Sequence, residues 1–148
     1  MTLVFENGLP ALVALLREGR DYYRFAADAV RDVEVSQVYG YAAACRTRLL
    51  EALVAARLLQ HTSPGAHEPT PPADGQGYVL LRGQFDPIHP EAQAAALVQR
   101  ERHLLRLVEA VFRTEGSLAA RRALKDAYPH LRRTAAILQR LALRRAAA

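Results

Sequence analysis

Residues 61–90 interrupt a pattern that is otherwise helical almost from end to end, and that interruption limits the folds open to this chain. The stretch His61–Gly77 holds four prolines and three glycines, residues that end helices and favour loops. On either side, residues 9–60 and 91–145 carry apolar side chains at three- and four-residue spacing, as helices with one inward face require. Each half also contains one tight connection, Arg31-Asp32-Val33-Glu34 in the first and Thr114-Glu115-Gly116-Ser117 in the second. Two helical hairpins joined by one long crossover describe an all-α, antiparallel four-helix bundle, a class that often holds metal or cofactor sites in its core.

The spacing predicts helices over about 9–31, 33–61, 90–114 and 117–145, with a crossover loop over 61–90, all in one domain spanning 1–148. Pro10 suits a first helical turn, with Asn7 or Gly8 before it as a cap. The first stripe is Leu12, Leu16, Gly19, Tyr23, Ala26 and Val30; the second is Val35, Val38, Ala42, Cys45, Leu49, Leu53 and Ala56. Asp32 and Ser117 stand where N-caps are needed. The third helix turns Ala94, Leu97, Val98, Leu105, Val108 and Phe112 inward, and the fourth Leu124, Tyr128, Leu131, Ala135, Leu138 and Ala142. Pro129 lies inside the fourth helix, where a missing N–H should kink or open it. Tyr78–Phe85 reads as either a strand or single helical turns.

Composition narrows the setting. A single cysteine, Cys45, excludes an intramolecular disulfide and suits a reducing compartment. No apolar run approaches the roughly 18 residues of a spanning helix. The residues after Met1 lack the basic and apolar segments of a secretory signal, so a cytoplasmic location is expected. The net charge of +5 is unevenly spread: residues 1–99 hold eight Arg against eleven acids, residues 100–148 twelve basic residues against four. Either the basic half meets an anionic partner such as nucleic acid, or the two halves of opposite charge face one another. Arg132, Arg133, Arg140 and Arg144 are the candidate anion-binding residues, although little aromatic character accompanies them for base stacking.

Glu101 is the candidate buried charge. In heptad terms it shares a core position with Ala94 and Val108, and a carboxylate there needs a partner or a metal. If the last two helices turn about residues 115–116, Glu101 falls level with His130, and His103 with Tyr128. A Glu101–His130 pair would bind a metal or carry protons, or serve only as a satisfied core contact.

The run Leu15-Leu16-Arg17-Glu18-Gly19-Arg20-Asp21-Tyr22-Tyr23-Arg24-Phe25-Ala26-Ala27-Asp28-Ala29-Val30, with Leu81-Arg82-Gly83 and Arg100-Glu101 further on, resembles a bacterial ferritin-like family of unknown function. The resemblance implies a ferritin-like bundle and no established activity. Ferritin-like di-iron sites draw a Glu from each of two helices and a Glu-x-x-His pair from each of the others. Here no Glu is followed three residues later by His. Glu18, Glu101 and His130 are the metal candidates that remain, for iron or manganese, and they do not complete a two-metal set. Asp86 and His89 have the right separation but lie in a proline-broken loop; His61, His67 and His89 form a looser loop group.

Three functions follow. The expected one is non-enzymatic: a soluble bundle without a cofactor, acting as an interaction or stress-associated protein, with an unidentified protein partner or a second copy of itself. A dimer is favoured because Val54 and Leu58 lie outside the main stripe of an Ala-rich helix. The alternatives are a metal-dependent oxidase or iron-handling protein, and an anion or nucleic-acid binder working through the last helix.

Overall fold

The computed structural model of the chain describes residues 8–60 and 77–147. Five helices account for the regular structure, with no strand among the described residues: α1 Gly8–Ala29, α2 Val33–Gln60, α3 Gly77–Gly83, α4 Glu91–Thr114 and α5 Leu118–Ala147. The four long helices match the expected ranges within two residues. The expected loop over 61–90 does not hold throughout, because residues 77–83 are helical. Residues 61–76, with the candidate ligands His61 and His67, lie outside the described residues, as do Asn7 and the side chain of Leu58.

Local chemistry sets the helix ends. The Val30 N–H still bonds the Ala26 carbonyl, but the Arg31 N–H turns to the carbonyl of Pro87 at 2.9 Å, so α1 stops before residue 31. Asp32 caps α2 through a 3.1 Å bond from the Val35 N–H to its carboxylate. The Ser36 hydroxyl donates back to the Ala27 carbonyl, fastening α1 to α2. At the second connection the Ala120 N–H donates to the Ser117 hydroxyl at 3.1 Å. α5 continues unbroken through Pro129. Both Pro129 and Lys125, whose carbonyl loses its helical donor, belong to exposed residues, so water can replace the missing bond.

α1 packs on α2, α2 on α5, α5 on α4 and α4 on α1, while the short α3 lies against α1. The core is aliphatic at both ends, with Leu12, Leu16, Leu49, Leu97, Leu104, Leu124, Leu131 and Leu138 essentially excluded from solvent. Each such side chain stabilises the fold by roughly 1.5–3 kcal/mol relative to exposure. Midway, tyrosines and charged groups replace the leucines. No helix among the described residues is long and apolar enough to cross a membrane.

Candidate functional site

Glu101 on α4 and Arg46 on α2 are both completely buried and form an ion pair in the interior. Three further contacts hold that pair in place. The Tyr23 hydroxyl on α1 donates to the Glu101 carboxylate at 2.6 Å. A second Arg46 nitrogen donates to the Ala42 carbonyl at 3.1 Å. The guanidinium also lies 4.7 Å from the centre of the Tyr23 ring, a cation–π placement. One charged pair thus ties together α1, α2 and α4. Burial would push the Arg46 guanidinium down, but the facing Glu101 carboxylate, helped by the Tyr23 and Tyr78 oxygens, outweighs it and holds Arg46 above its ordinary range.

Glycine makes the space. A Cβ at Gly19 would stand 2.7 Å from Arg46 Nε and 3.0 Å from the Tyr78 hydroxyl. At the start of α3, a Cβ on Gly77 would overlap the Arg100 guanidinium. At both positions the backbone must approach a side chain closely.

Four buried tyrosines line the cluster as a ladder. Ring centres of Tyr78 and Tyr22 are 5.5 Å apart, Tyr22 and Tyr23 5.5 Å, and Tyr23 and Tyr39 5.6 Å. The Tyr22 hydroxyl donates to the Gln93 side-chain oxygen at 2.9 Å, and the Gln93 amide donates to the Leu81 carbonyl at 2.7 Å, so Gln93 bolts α3 to the long helices. Burial is the main reason that all four phenols resist ionisation, Tyr39 being pushed up to about 12. Tyr23 is raised further by the Glu101 charge beside it.

Several buried polar atoms here lack a hydrogen-bond partner: Glu18 Oε2, Tyr39 and Tyr78 hydroxyls, Arg46 Nε and Glu101 Oε2. Glu18 lies at the rim, half-buried, and desolvation raises its carboxyl despite the opposing Arg100 charge.

The structure does not bring Glu101 and His130 together. His130 is exposed on α5, and its Nδ1 lies 2.7 Å from the Tyr41 hydroxyl of α2. Tyr128 meets Glu109, to which its hydroxyl donates at 2.5 Å, rather than His103. Arg121 stacks on Phe112, and Arg102 reaches Gln139 at 3.2 Å. Each of these pairs sits beyond the simple mirror about residues 115–116, increasingly so away from the turn. The level opposite Glu101 therefore falls near residue 140, not 130.

The metal candidates do not assemble. Glu101 is neutralised by Arg46, Glu18 is at the rim and His130 is outside, and Asp86 uses its carboxylate to accept from the Ile88 and His89 N–H groups. Among the described residues no three His, Cys, Asp or Glu side chains could hold one ion. A guanidinium beside the single interior carboxylate among the described residues is the wrong donor set for the iron or manganese that a ferritin-like resemblance implies.

Arg46 is the residue that the sequence reading missed. By the count of about 100° per residue it falls some 40° from Ala42 and about 20° past Leu53, at the edge of the apolar stripe. That phase was the available signal. Arg132, Arg133, Arg140 and Arg144 are all exposed on α5. Arg133 stands 5.9 Å from the Tyr41 ring and Arg132 6.0 Å from the Tyr128 ring. Arg140 and Arg144 border a concavity of about 240 Å³ between α2 and α5, lined also by Glu34, Val35, Val38, Ile137 and Leu141. Searches against family models, curated proteins and solved structures found no match to this chain.

Proposed function

We propose that this chain is a non-enzymatic interaction protein: an antiparallel four-helix bundle of ferritin-like arrangement whose core is closed by an ion pair. The Arg46–Glu101 pair carries this reading. In a bundle built for metal chemistry, interior carboxylates remain free to meet an ion. Here the one fully buried carboxylate among the described residues already faces a permanent internal cation, with a phenol supplying a further bond. The neighbour-to-neighbour contacts of the four long helices support the bundle arrangement.

Metal analysis of protein expressed with added iron and manganese tests the proposal. Bound metal below about a tenth of an equivalent is expected, since retention requires a complete, deprotonated ligand set. Stoichiometric iron or manganese that survives dialysis and is lost in Glu101→Gln would refute it.

Self-association belongs to the same reading. Val54 is 47% exposed on α2. The outer face of α1 and α2 is a shallow concavity of small residues, Gly40, Ala43 and Ala44, bordered by Arg24, Asp28 and Arg48. A second copy would bury these. Sedimentation that shows only monomer at micromolar concentration removes this element and leaves the rest standing.

A further inference from the structure

The seam between α2 and α5 combines features that the interior site does not use. On α5, His130, Arg133, Ile137, Arg140 and Arg144 fall within an arc of about 80°. On α2, Glu34, Val38 and Tyr41 fall within a similar arc facing them. The floor is aliphatic where Val35, Val38, Ile137 and Leu141 enclose the concavity of about 240 Å³. The rim is cationic, with Glu34 the only acid that lines it. Among the described residues, neither the Arg140 nor the Arg144 guanidinium has an ion-pair or hydrogen-bond partner. Yet both border apolar surface, where a charge–charge contact is screened less than in open water.

We propose that this seam is a docking groove for an acidic amphipathic helix of a partner protein, whose aliphatic side chain enters the cavity while its carboxylates meet Arg133, Arg140 and Arg144. The inference rests on the reading of the chain as an interaction protein. Charge complementarity selects the sign of the partner, and the geometry selects its form. Arg133 and Arg144 are eleven positions apart on one helix, about 16 Å at 1.5 Å per residue. That is three turns of a facing helix, with apolar anchors repeating at three- and four-residue spacing. The aliphatic floor suits a Leu or Ile side chain. Nucleic acid would need stacking faces along the groove, and only Tyr41 and His130, side by side at one end, supply them.

Fluorescence anisotropy with a labelled synthetic peptide tests this. The probe is a helix of roughly five turns (about 27 Å) with Leu at three- and four-residue spacing and Glu elsewhere. Two comparisons run beside it: the same residues scrambled, and a single-stranded oligothymidylate. Saturable binding of the ordered peptide is expected, weakened about tenfold in Arg140→Gln/Arg144→Gln, as Arg anchors in such interfaces are. The substitutions lie on exposed side chains, and unchanged melting curves confirm that the fold is kept. An Ile137→Glu variant should weaken binding comparably by closing the apolar floor to the Leu anchor. Equal binding of the scrambled peptide would overturn the groove in favour of unspecific charge attraction. Unchanged affinity in the Arg variants would overturn it too, as would tighter, salt-sensitive binding of the oligothymidylate through the same arginines. Because metal content is measured separately, a peptide that fails to bind metal-free protein defeats this inference without touching the non-enzymatic reading.

Discussion

Arg46 and Glu101 stand 55 residues apart in the chain and meet with both side chains wholly withdrawn from water. Removing one member strands the other in the core. Glu101→Gln or Arg46→Met alone should each cost about 3–5 kcal/mol. Replacing the whole set, as Arg46→Met with Glu101→Leu and Tyr23→Phe, should recover most of that loss, since no buried charge is left uncompensated. Urea unfolding of the variants decides. If each single variant lost less than about 1 kcal/mol, as an exposed pair would, the pair would not be buried as described.

Gly19 and Gly40 supply opposite outcomes for one chemical change. In a helix interior, Gly→Ala ordinarily gains up to about 1 kcal/mol. Gly40 has nothing within 4 Å of a new Cβ, so Gly40→Ala should raise the melting temperature. At Gly19 the methyl would press on Arg46 Nε at 2.7 Å, and the guanidinium is held by Glu101 and Ala42 and cannot move aside. Gly19→Ala should therefore lose about 1–3 kcal/mol, the range for an overpacked core. A gain at both positions in thermal melts would show that Arg46 yields freely.

Glu18 should work against folding at neutral pH. Desolvation raises its carboxyl in the folded chain despite Arg100. A raised value means that the folded state holds the proton more tightly than the unfolded state. The favourable contribution is complete below the ordinary carboxyl value of 4.5 and is lost as pH rises through the folded value. Glu18→Gln should melt higher than the parent at pH 7 and without advantage at pH 4. A lower melting temperature at pH 7 would mean that the Arg100 attraction prevails.

The fold was legible because helix period and turn chemistry agreed. Leu12, Leu16, Tyr23 and Ala26 form one stripe, Asp32 and Ser117 cap where expected, and the helix limits follow. The buried carboxylate was legible too, since Glu101 interrupts an apolar heptad position. Its partner was not, because two conventions hid it. Arg46 follows Cys45 and precedes Thr47 and Arg48, and a charge in such company is ordinarily assigned to solvent. α2 also buries a broad face, packing on α1 through one flank and on α5 through the other, so its single stripe understated the core. His130 failed for a different reason: the mirror count about the turn drifts from the true pairing away from the turn, and burial depends besides on rotation about the axis. For α3, the short run Tyr78–Leu81 is apolar throughout, and periodicity alone does not separate a strand from a helix there.

Gln93 should govern how firmly α3 is attached. Its amide bonds the Leu81 carbonyl and its oxygen takes the Tyr22 hydroxyl, whereas α3 otherwise buries only Gly77, Tyr78 and Leu81. Gln93→Leu keeps the volume and removes both bonds. Hydrogen exchange over residues 77–83 should accelerate about tenfold, from loss of roughly 1–1.5 kcal/mol of local stability, with α1 and α4 little changed. Equal acceleration in all helices would make Gln93 a determinant of global rather than local stability.

Alkaline unfolding should follow from the tyrosine ladder. Tyr39 is pushed up to about 12 by burial, with the Glu91 charge adding to it, and the phenols of Tyr22, Tyr23 and Tyr78 are raised as well. In the unfolded chain each would ionise near its ordinary value of 10. The unfolded state thus releases protons first as pH climbs. Stability from these groups is complete below pH 10 and declines above it, for Tyr39 across the interval from 10 to about 12. Of the six tyrosines, only Tyr41 and Tyr128 are outside the buried set. A pH titration followed by phenolate absorbance and by helical circular dichroism should therefore show two stages. Tyr41 and Tyr128 ionise while the helices persist; the four buried phenols then ionise together with the loss of helix. Smooth ionisation of all six with helicity intact would mean that water already reaches the ladder, and that the Arg46–Glu101 pair beside it is not sealed.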